Sequence, residues 1–190
     1  MKVLITGSRG YIGSRLCQII RKKFKKIKIV GVDSNFYNLR KKIEHKFFNL
    51  DIRDLNKHHF KNIDAIIHLA SLSNDPLGSL NKKLTEEINY KATVKIAKLA
   101  KRLGVQRFIF ISTQSVYGIS NNKKKLIKEN DKNIKPITEY AISKLKAEKK
   151  LLKLADKKFC VSIYRPSTVH GPSLNFRSDI VLNNLCGSAF

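Results

Sequence analysis

The chain has 190 residues, 42% of them hydrophobic, and a formal net charge of +25. This length fits one α/β core and excludes a second full domain, and no apolar run approaches the roughly 20 residues that a membrane span needs. The charge comes from lysines spread along the whole chain without interleaved aromatic residues, so it would attract anions but does not indicate a specific nucleic-acid site.

The chain begins with an apolar run at residues 3–5 that leads into three glycines at a spacing of three. These are Gly7, Gly10 and Gly13. From Tyr11 onward, apolar residues recur at helical spacing, beginning with Ile12. The pattern predicts a buried strand, a phosphate loop and a helix, in which the first two glycines admit a pyrophosphate and the third allows close packing.

A second apolar strand, at 27–32, ends at Asp33, 20 residues after Gly13. A carboxylate in this place can accept hydrogen bonds from both hydroxyls of an adenosine ribose and would repel the 2′-phosphate of NADP. A purely structural glycine turn would leave Asp33 unexplained, so the pattern predicts an NAD site. Arg9, inside the glycine loop, is the nearby cationic candidate for a 2′-phosphate.

The remaining segments alternate between strand and helix patterns. Strands are predicted at 46–50, 64–69, 108–111 and 160–164, and helices at 54–60, around 88–103 and at 139–156. Gly104 is placed to end the helix predicted around 88–103, and loops are predicted at 70–80 and 121–136. This alternation predicts a Rossmann-type, doubly wound, mostly parallel α/β sheet with helices on both faces.

Tyr140 and Lys144 are four residues apart in a helical pattern and therefore share one face of the helix. The end of the fifth strand supplies hydroxyl groups at Ser112, Thr113 and Ser115. A tyrosine with its ordinary pKa of about 10 is a poor base near neutral pH, but an adjacent ammonium favours the phenolate. Hydroxyl, phenol and ammonium together predict a proton-transfer site beside a nicotinamide ring.

Taken in order, these motifs resemble those of the NAD-dependent epimerase/dehydratase family of extended short-chain dehydrogenases/reductases. The shared motifs are Thr6-Gly7-x-x-Gly10-x-x-Gly13, Asp33, Asp51-Ile52, His68-Leu69-Ala70, Asn89, Ser112-Thr113-x-x-Val116-Tyr117-Gly118, Tyr140 with Lys144, and Arg165-Pro166. The resemblance runs through nearly the whole chain and implies NAD as cofactor and a nucleotide-sugar as substrate.

The resemblance also implies residue roles. The implied catalytic residues are Thr113, Tyr140 and Lys144, with Thr113 bonding the reacting oxygen. The implied cofactor-binding residues are Gly7, Gly10, Tyr11, Ile12, Gly13, Asp33, Asp51, Ile52, Leu69, Ala70, Asn89, Tyr140 and Lys144. Among them, Asp51 and Ile52 would contact the adenine, and Leu69 and Ala70 would line the dinucleotide. Asn89 would support the cofactor site or only cap backbone, and His68 is expected to be a packed strand residue.

Gln114-Ser115 follows Thr113 where family dehydratases carry Asp-Glu, so we expect epimerisation and not elimination of water. Tyr140 would take the hydroxyl proton while hydride passes to NAD and returns to the opposite face of the keto sugar, a step typical of polysaccharide biosynthesis. A sugar reductase, dehydratase or decarboxylase relative remains an alternative. A non-catalytic NAD-binding protein that contacts a partner or nucleic acid is another.

Residues 1–165 are predicted to form the NAD-binding domain, and 166–190 to begin a substrate-binding region that family members continue further. Asn183 or Asn184 would match the family's diphosphate-contacting asparagine, and a chain ending at Phe190 is expected to turn over sugars poorly. Without a signal peptide we expect a cytoplasmic protein with no membrane partner. The sequence leaves open whether the protein forms a homodimer. Three widely spaced cysteines predict free thiols, with neither a disulfide nor a metal site.

Overall fold

The computed structural model describes residues 1–73, 79–119, 126–131 and 133–189. An Asn-Asp-Pro-Leu-Gly segment at 74–78, which resembles a subgroup of sugar epimerases, lies outside the described residues, as does part of the predicted loop at 121–136. Within the described ranges, no helix is both long enough and apolar enough to cross a membrane.

The core is a sheet of six strands, every neighbouring pair of which is parallel. The strands are β1 (Lys2–Thr6), β2 (Lys28–Asp33), β3 (Lys46–Asn49), β4 (Ala65–His68), β5 (Arg107–Ile111) and β6 (Cys160–Tyr164), in the order β3-β2-β1-β4-β5-β6. The order reverses between β1 and β4, which is the switch point where doubly wound sheets bind ligands. The predicted fold class is confirmed.

Helices cover both faces of this sheet. The helices of the described residues are α1 (Tyr11–Lys23), α2 (Lys82–Glu86), α3 (Thr93–Arg102), α4 (Glu139–Leu152) and α5 (Val181–Ser188), with a π-helical segment at Glu87–Ala92 joining α2 to α3. The core cluster on the α1 face includes Val3, Ile5, Cys17 and Ile20. The cluster on the α3 and α4 face includes Leu4, Ile96, Ala147 and Leu151. Alternate residues of β1 thus point to opposite helical layers.

Two predicted helices were wrong in their extent. The segment 54–60 is two single-turn 3₁₀ helices, Ile52–Asp54 and Lys57–Phe60, because Asp51 and Asn56 each cap a new turn with their side chains. Helix α4 ends at Leu152 and not at 156, since the Asp156 carboxylate accepts backbone hydrogen bonds at 2.8 Å and holds a turn. Gly104, with φ +80°, follows the last turn of α3 as predicted.

Candidate active site

The candidate site lies along the carboxyl edge of the sheet. Because all six strands are parallel, the residues that follow them meet at one edge. Gly7 follows β1, Asp33 ends β2, Leu69 follows β4 and Ser112 follows β5. The structure therefore brings the predicted phosphate loop, the ribose carboxylate and the hydroxyl-bearing strand end to the same edge.

The three glycines of the loop are needed for different reasons. Gly7 has φ +71°, and a Cβ there would lie 2.7 Å from the backbone nitrogen of Ala70. A Cβ on Gly13 would lie 1.9 Å from the Gly7 carbonyl oxygen, so helix and loop could not pack. Among the residues that the structure describes, a Cβ on Gly10 would meet only that oxygen, at 3.4 Å, which is an ordinary contact. Protein packing does not explain Gly10, and the open space beside it suits a ligand.

Helix α1 starts at this loop with Gly10 as its N-cap. Within the ranges that the structure describes, no side chain caps it, and its first turn contains no acidic residue. The first N–H groups of a helix have no acceptor within the helix and carry the positive end of its dipole. The loop and helix therefore fit a pyrophosphate, and the predicted contacts of Tyr11 and Ile12 would be made from this turn.

Asp33 is fixed in place by two backbone N–H groups. One carboxylate oxygen accepts from Arg9 at 3.0 Å, and the other accepts from Asn35 at 2.7 Å. Each oxygen has a second lone pair, so the carboxylate can still accept hydroxyl donors. The geometry thus ties the ribose-binding candidate to the glycine loop itself.

The predicted adenine contacts are shaped by local capping and burial. Asp51 accepts from the backbone and side-chain nitrogens of Arg53 at 2.8–3.0 Å, and these hydrogen bonds hold the pKa of the Asp51 carboxyl below its usual range. The Ile52 residue is only 5% exposed and belongs to the core. An adenine contact by Ile52 would therefore come mainly from its backbone.

His68 is a packed strand residue, as predicted. The Thr93 hydroxyl donates to the Asn89 carbonyl at 2.9 Å, so its oxygen is left to accept from Nε2–H of His68 at 2.9 Å. Nδ1 then accepts from the Thr6 hydroxyl at 2.7 Å. Full burial lowers the pKa of His68 to about 3, so the ring is neutral and links β1, β4 and α3.

Asn89 caps backbone, which is one of its two predicted roles, and its support of the cofactor site stays a prediction. Its fully buried side chain accepts from the Leu72 N–H at 2.8 Å and donates to the Leu72 carbonyl at 3.0 Å, which fixes the loop after β4. The same amide donates to the Ser143 hydroxyl at 3.3 Å, and that hydroxyl donates to the Tyr140 carbonyl at 2.7 Å. Asn89 therefore caps backbone and also holds this loop against the helix that carries Tyr140.

The three predicted catalytic residues lie around the end of β5. Lys144 donates from Nζ to the Ile111 carbonyl at 2.8 Å, with Nζ 5.8 Å from the ring centre of Tyr140. Thr113, two residues beyond Ile111, accepts from the Ser115 N–H at 3.1 Å and caps a 3₁₀ turn. Within the described residues, the Ser112 hydroxyl is buried without a hydrogen-bond partner.

Burial dominates the electrostatics of Lys144. The residue is 2% exposed, and this loss of water lowers the pKa of its ammonium to about 7, although nearby Glu148 opposes the shift. The Glu148 carboxylate pairs closely with the Arg165 guanidinium, with nitrogen–oxygen distances of 2.6–3.2 Å. Because this pairing offsets its charge, Glu148 stabilises the Lys144 ammonium only weakly. The charge of Lys144 is therefore available below about pH 7 and declines above it.

Replacing Lys144 with methionine should change how stability depends on pH. Between pH 7 and 10.5 the unfolded wild-type chain keeps a proton on Lys144 that the folded chain has lost, so this residue makes wild-type stability rise with pH. The stability advantage of Lys144→Met over wild type should shrink by roughly 1 kcal/mol per pH unit from pH 7 to 9. Urea unfolding of both proteins measures the difference, and a constant difference would contradict a lowered pKa.

The segment after β6 packs onto the glycine loop. The Tyr11 hydroxyl donates to the Gly171 carbonyl at 2.8 Å, and the Ser173 hydroxyl donates to the Tyr11 carbonyl at 2.6 Å. Asn183 is 4% exposed, accepts from the Gly171 N–H at 2.9 Å and donates to the Tyr11 hydroxyl at 3.0 Å. Asn184 is exposed and donates to the Ser178 carbonyl. Both asparagines bond within this segment or to Tyr11, and their binding of substrate stays a prediction.

Two residues of the site were not predicted from the sequence. Ser143 joins Asn89 to the Tyr140 helix, and its position next to Lys144 was the available signal. Glu44 is a buried carboxylate that pairs with Arg9 below the glycine loop, and no local pattern marks it.

Known proteins resemble this chain in sequence and in fold. The NAD dependent epimerase/dehydratase family model matches residues 3–185. A dTDP-D-glucose 4,6-dehydratase of Dictyostelium discoideum is 33% identical over 90% of this chain and 44% of its own length. A UDP-glucose 4-epimerase of Vibrio cholerae is 33% identical over 93% of this chain and 55% of its own length.

A solved structure of UDP-glucuronic acid 4-epimerase from Bacillus cereus, in complex with NAD, superposes with a TM-score of 0.79 at 25% identity. It is matched over 100% of this chain and 62% of that one. The chain thus spans about half the length of the curated relatives it matches. Since the family model covers nearly all of the sequence, the chain belongs to the NAD dependent epimerase/dehydratase family.

Proposed function

We propose that the protein is an NAD-dependent nucleotide-sugar epimerase. The observation that carries the proposal is the cluster at the end of β5, where Lys144 binds the Ile111 carbonyl beside Tyr140 and Thr113. The cluster shares its sheet edge with the phosphate loop and Asp33. Gln114 and Ser115 occupy the positions where dehydratases have Asp and Glu, which favours epimerisation over elimination.

The chain's own residues then have distinct tasks. Tyr140, as phenolate, accepts the proton of the sugar hydroxyl, and the Thr113 hydroxyl orients the reacting oxygen by a hydrogen bond. Lys144, while protonated, stabilises the phenolate by Coulombic attraction. NAD, when bound, supplies the hydride acceptor. The helix α1 N-terminus and Asp33 would hold the pyrophosphate and the adenosine ribose, which favours NAD over NADP.

Incubation with UDP-glucose, UDP-galactose, UDP-glucuronic acid and dTDP-glucose, followed by chromatography, tests the reaction type. Turnover by these 190 residues is predicted to be poor, and we expect the turnover that occurs to interconvert C4 epimers without loss of water. A 4-keto-6-deoxy sugar as the main product would show a dehydratase and contradict the proposal. Reduced cofactor that accumulates in step with oxidised sugar would instead indicate a simple dehydrogenase.

Replacing Asp33 with alanine should weaken the binding of NAD by about 1–3 kcal/mol, because two ribose hydroxyls would lose a charged acceptor. Asp33→Asn is the matched variant, since it keeps the size and one acceptor oxygen and should show a smaller loss. Calorimetric titration of NAD and NADP measures both effects. Tighter binding of NADP than NAD by the wild-type chain would show that the role given to Asp33 is wrong.

A further inference from the structure

The loop between β2 and β3 places a carboxylate beneath the phosphate loop. Glu44 is 1% exposed, and its Oε1 accepts from the Ser8 hydroxyl at 2.8 Å. The glycine at position 31 in β2 makes room for it, because a Cβ there would lie 2.5 Å from Glu44 Cγ. The mechanism above does not use this buried acid.

The partner of Glu44 is the Arg9 side chain. Arg9 Nε lies 3.3 Å from Glu44 Oε1, and Nη2 lies 3.5 Å from Oε2. Nη1 donates to the Leu39 carbonyl at 2.6 Å, and the guanidinium lies 3.4 Å from the ring centre of Phe47. The Arg9 side chain is 11% exposed, so the guanidinium is committed to protein contacts on its edge and on one face.

The backbone of Arg9 has a different partner. Its N–H donates to Asp33, the carboxylate that would bind the adenosine ribose. An arginine next to this position is the residue type that accommodates the 2′-phosphate of NADP. Moving the Arg9 guanidinium toward such a phosphate would leave Glu44 buried without its cation, which is costly in a water-free environment.

We propose that Glu44 is a specificity-determining residue for the dinucleotide, which holds the Arg9 guanidinium away from the 2′ position of the adenosine ribose. Asp33 then faces that position without the Arg9 guanidinium beside it and excludes a 2′-phosphate. This inference rests on the proposed NAD site, and it places a reason for the selectivity in a carboxylate that is buried beneath the phosphate loop.

The test is Glu44→Gln, which keeps the size and an acceptor for Ser8 but removes the charge that retains Arg9. Calorimetry would measure the dissociation constants of NAD and NADP, and of 5′-AMP and 2′,5′-ADP, at fixed salt. We expect the preference for NAD over NADP to fall about tenfold, mainly through tighter binding of NADP. The preference for 5′-AMP over 2′,5′-ADP should fall in parallel. An unchanged preference in a folded variant would overturn the proposal.

Two controls separate release of Arg9 from a general change of charge. Glu87→Gln removes the same charge from a residue that pairs with Arg53 instead, and it should leave the preference unchanged. The double variant Arg9→Met with Glu44→Gln should lose the gain in NADP binding. A gain that persists without Arg9, or an equal gain in Glu87→Gln, would contradict the proposal.

Circular dichroism establishes whether each variant folds. Should Glu44→Gln fail to fold, Glu44→Asp is the substitute, because its shorter side chain keeps the charge but moves it away from Arg9. We expect its preference for NAD over NADP to fall a few-fold. No change in Glu44→Asp would then overturn the proposal. Failure of the wild-type chain to bind NAD would instead contradict the proposed function, which keeps the two outcomes distinct.

Discussion

Replacing Tyr140 with phenylalanine should lower the rate of epimerisation by on the order of 10²- to 10⁴-fold, the range for loss of a positioned acid or base. The phenylalanine ring would take the place of the tyrosine ring on α4, close to Lys144. NAD affinity should therefore stay within about twofold of wild type. Chromatographic assay of the epimers and calorimetric titration of NAD measure the two effects separately.

Tyr164→Phe is the matched control for this variant. Tyr164 ends β6 and its side chain is largely exposed, so removing its hydroxyl should leave the rate unchanged. Full activity in Tyr140→Phe would remove the phenol from the mechanism. Equal losses in both variants would show that the assay reports stability and not proton transfer.

Gly13→Ala should be the most disruptive change in the glycine loop. Its Cβ would lie 1.9 Å from the Gly7 carbonyl oxygen, so α1 must move away from the loop. We expect a loss of about 3 kcal/mol or more in the free energy of unfolding, as for severe overpacking, and loss of NAD binding. Urea unfolding and calorimetry would measure these effects.

Gly10→Ala is the informative comparison. Gly10 has φ −71°, which alanine adopts readily, and the added Cβ would meet the nearest protein atom at 3.4 Å. Stability should therefore change by less than about 1 kcal/mol, while NAD binding should weaken at least about tenfold because the methyl group occupies ligand space. Unchanged NAD affinity in Gly10→Ala would contradict the placement of the pyrophosphate.

The parts of the site that sequence reasoning predicted are encoded locally. The apolar run of β1, the glycine spacing and the start of α1 adjoin one another, and Asp33 follows from the end of the next strand. Tyr140 and Lys144 are one helical turn apart, so their shared face is a property of α4 alone. In parallel sheets, knowing where each strand ends is enough to place these residues at one edge.

The parts that sequence reasoning missed depend on contacts between distant segments. Glu44 meets Ser8 across 36 positions, and Asn89 meets Ser143 across 54. The π-helical segment at Glu87–Ala92 has no pattern that separates it from an ordinary helix. Burial of Lys144 against the Ile111 carbonyl, which lowers its pKa, also follows from packing and not from the four-residue spacing.

A crystal structure of the chain grown with NAD would test the central claim most directly. We expect the pyrophosphate at the N–H groups of the first turn of α1, the adenosine ribose hydroxyls on the Asp33 carboxylate, and the nicotinamide ring beside Tyr140. NAD bound away from the glycine loop, or a nicotinamide ring remote from Tyr140, would contradict this account of the site.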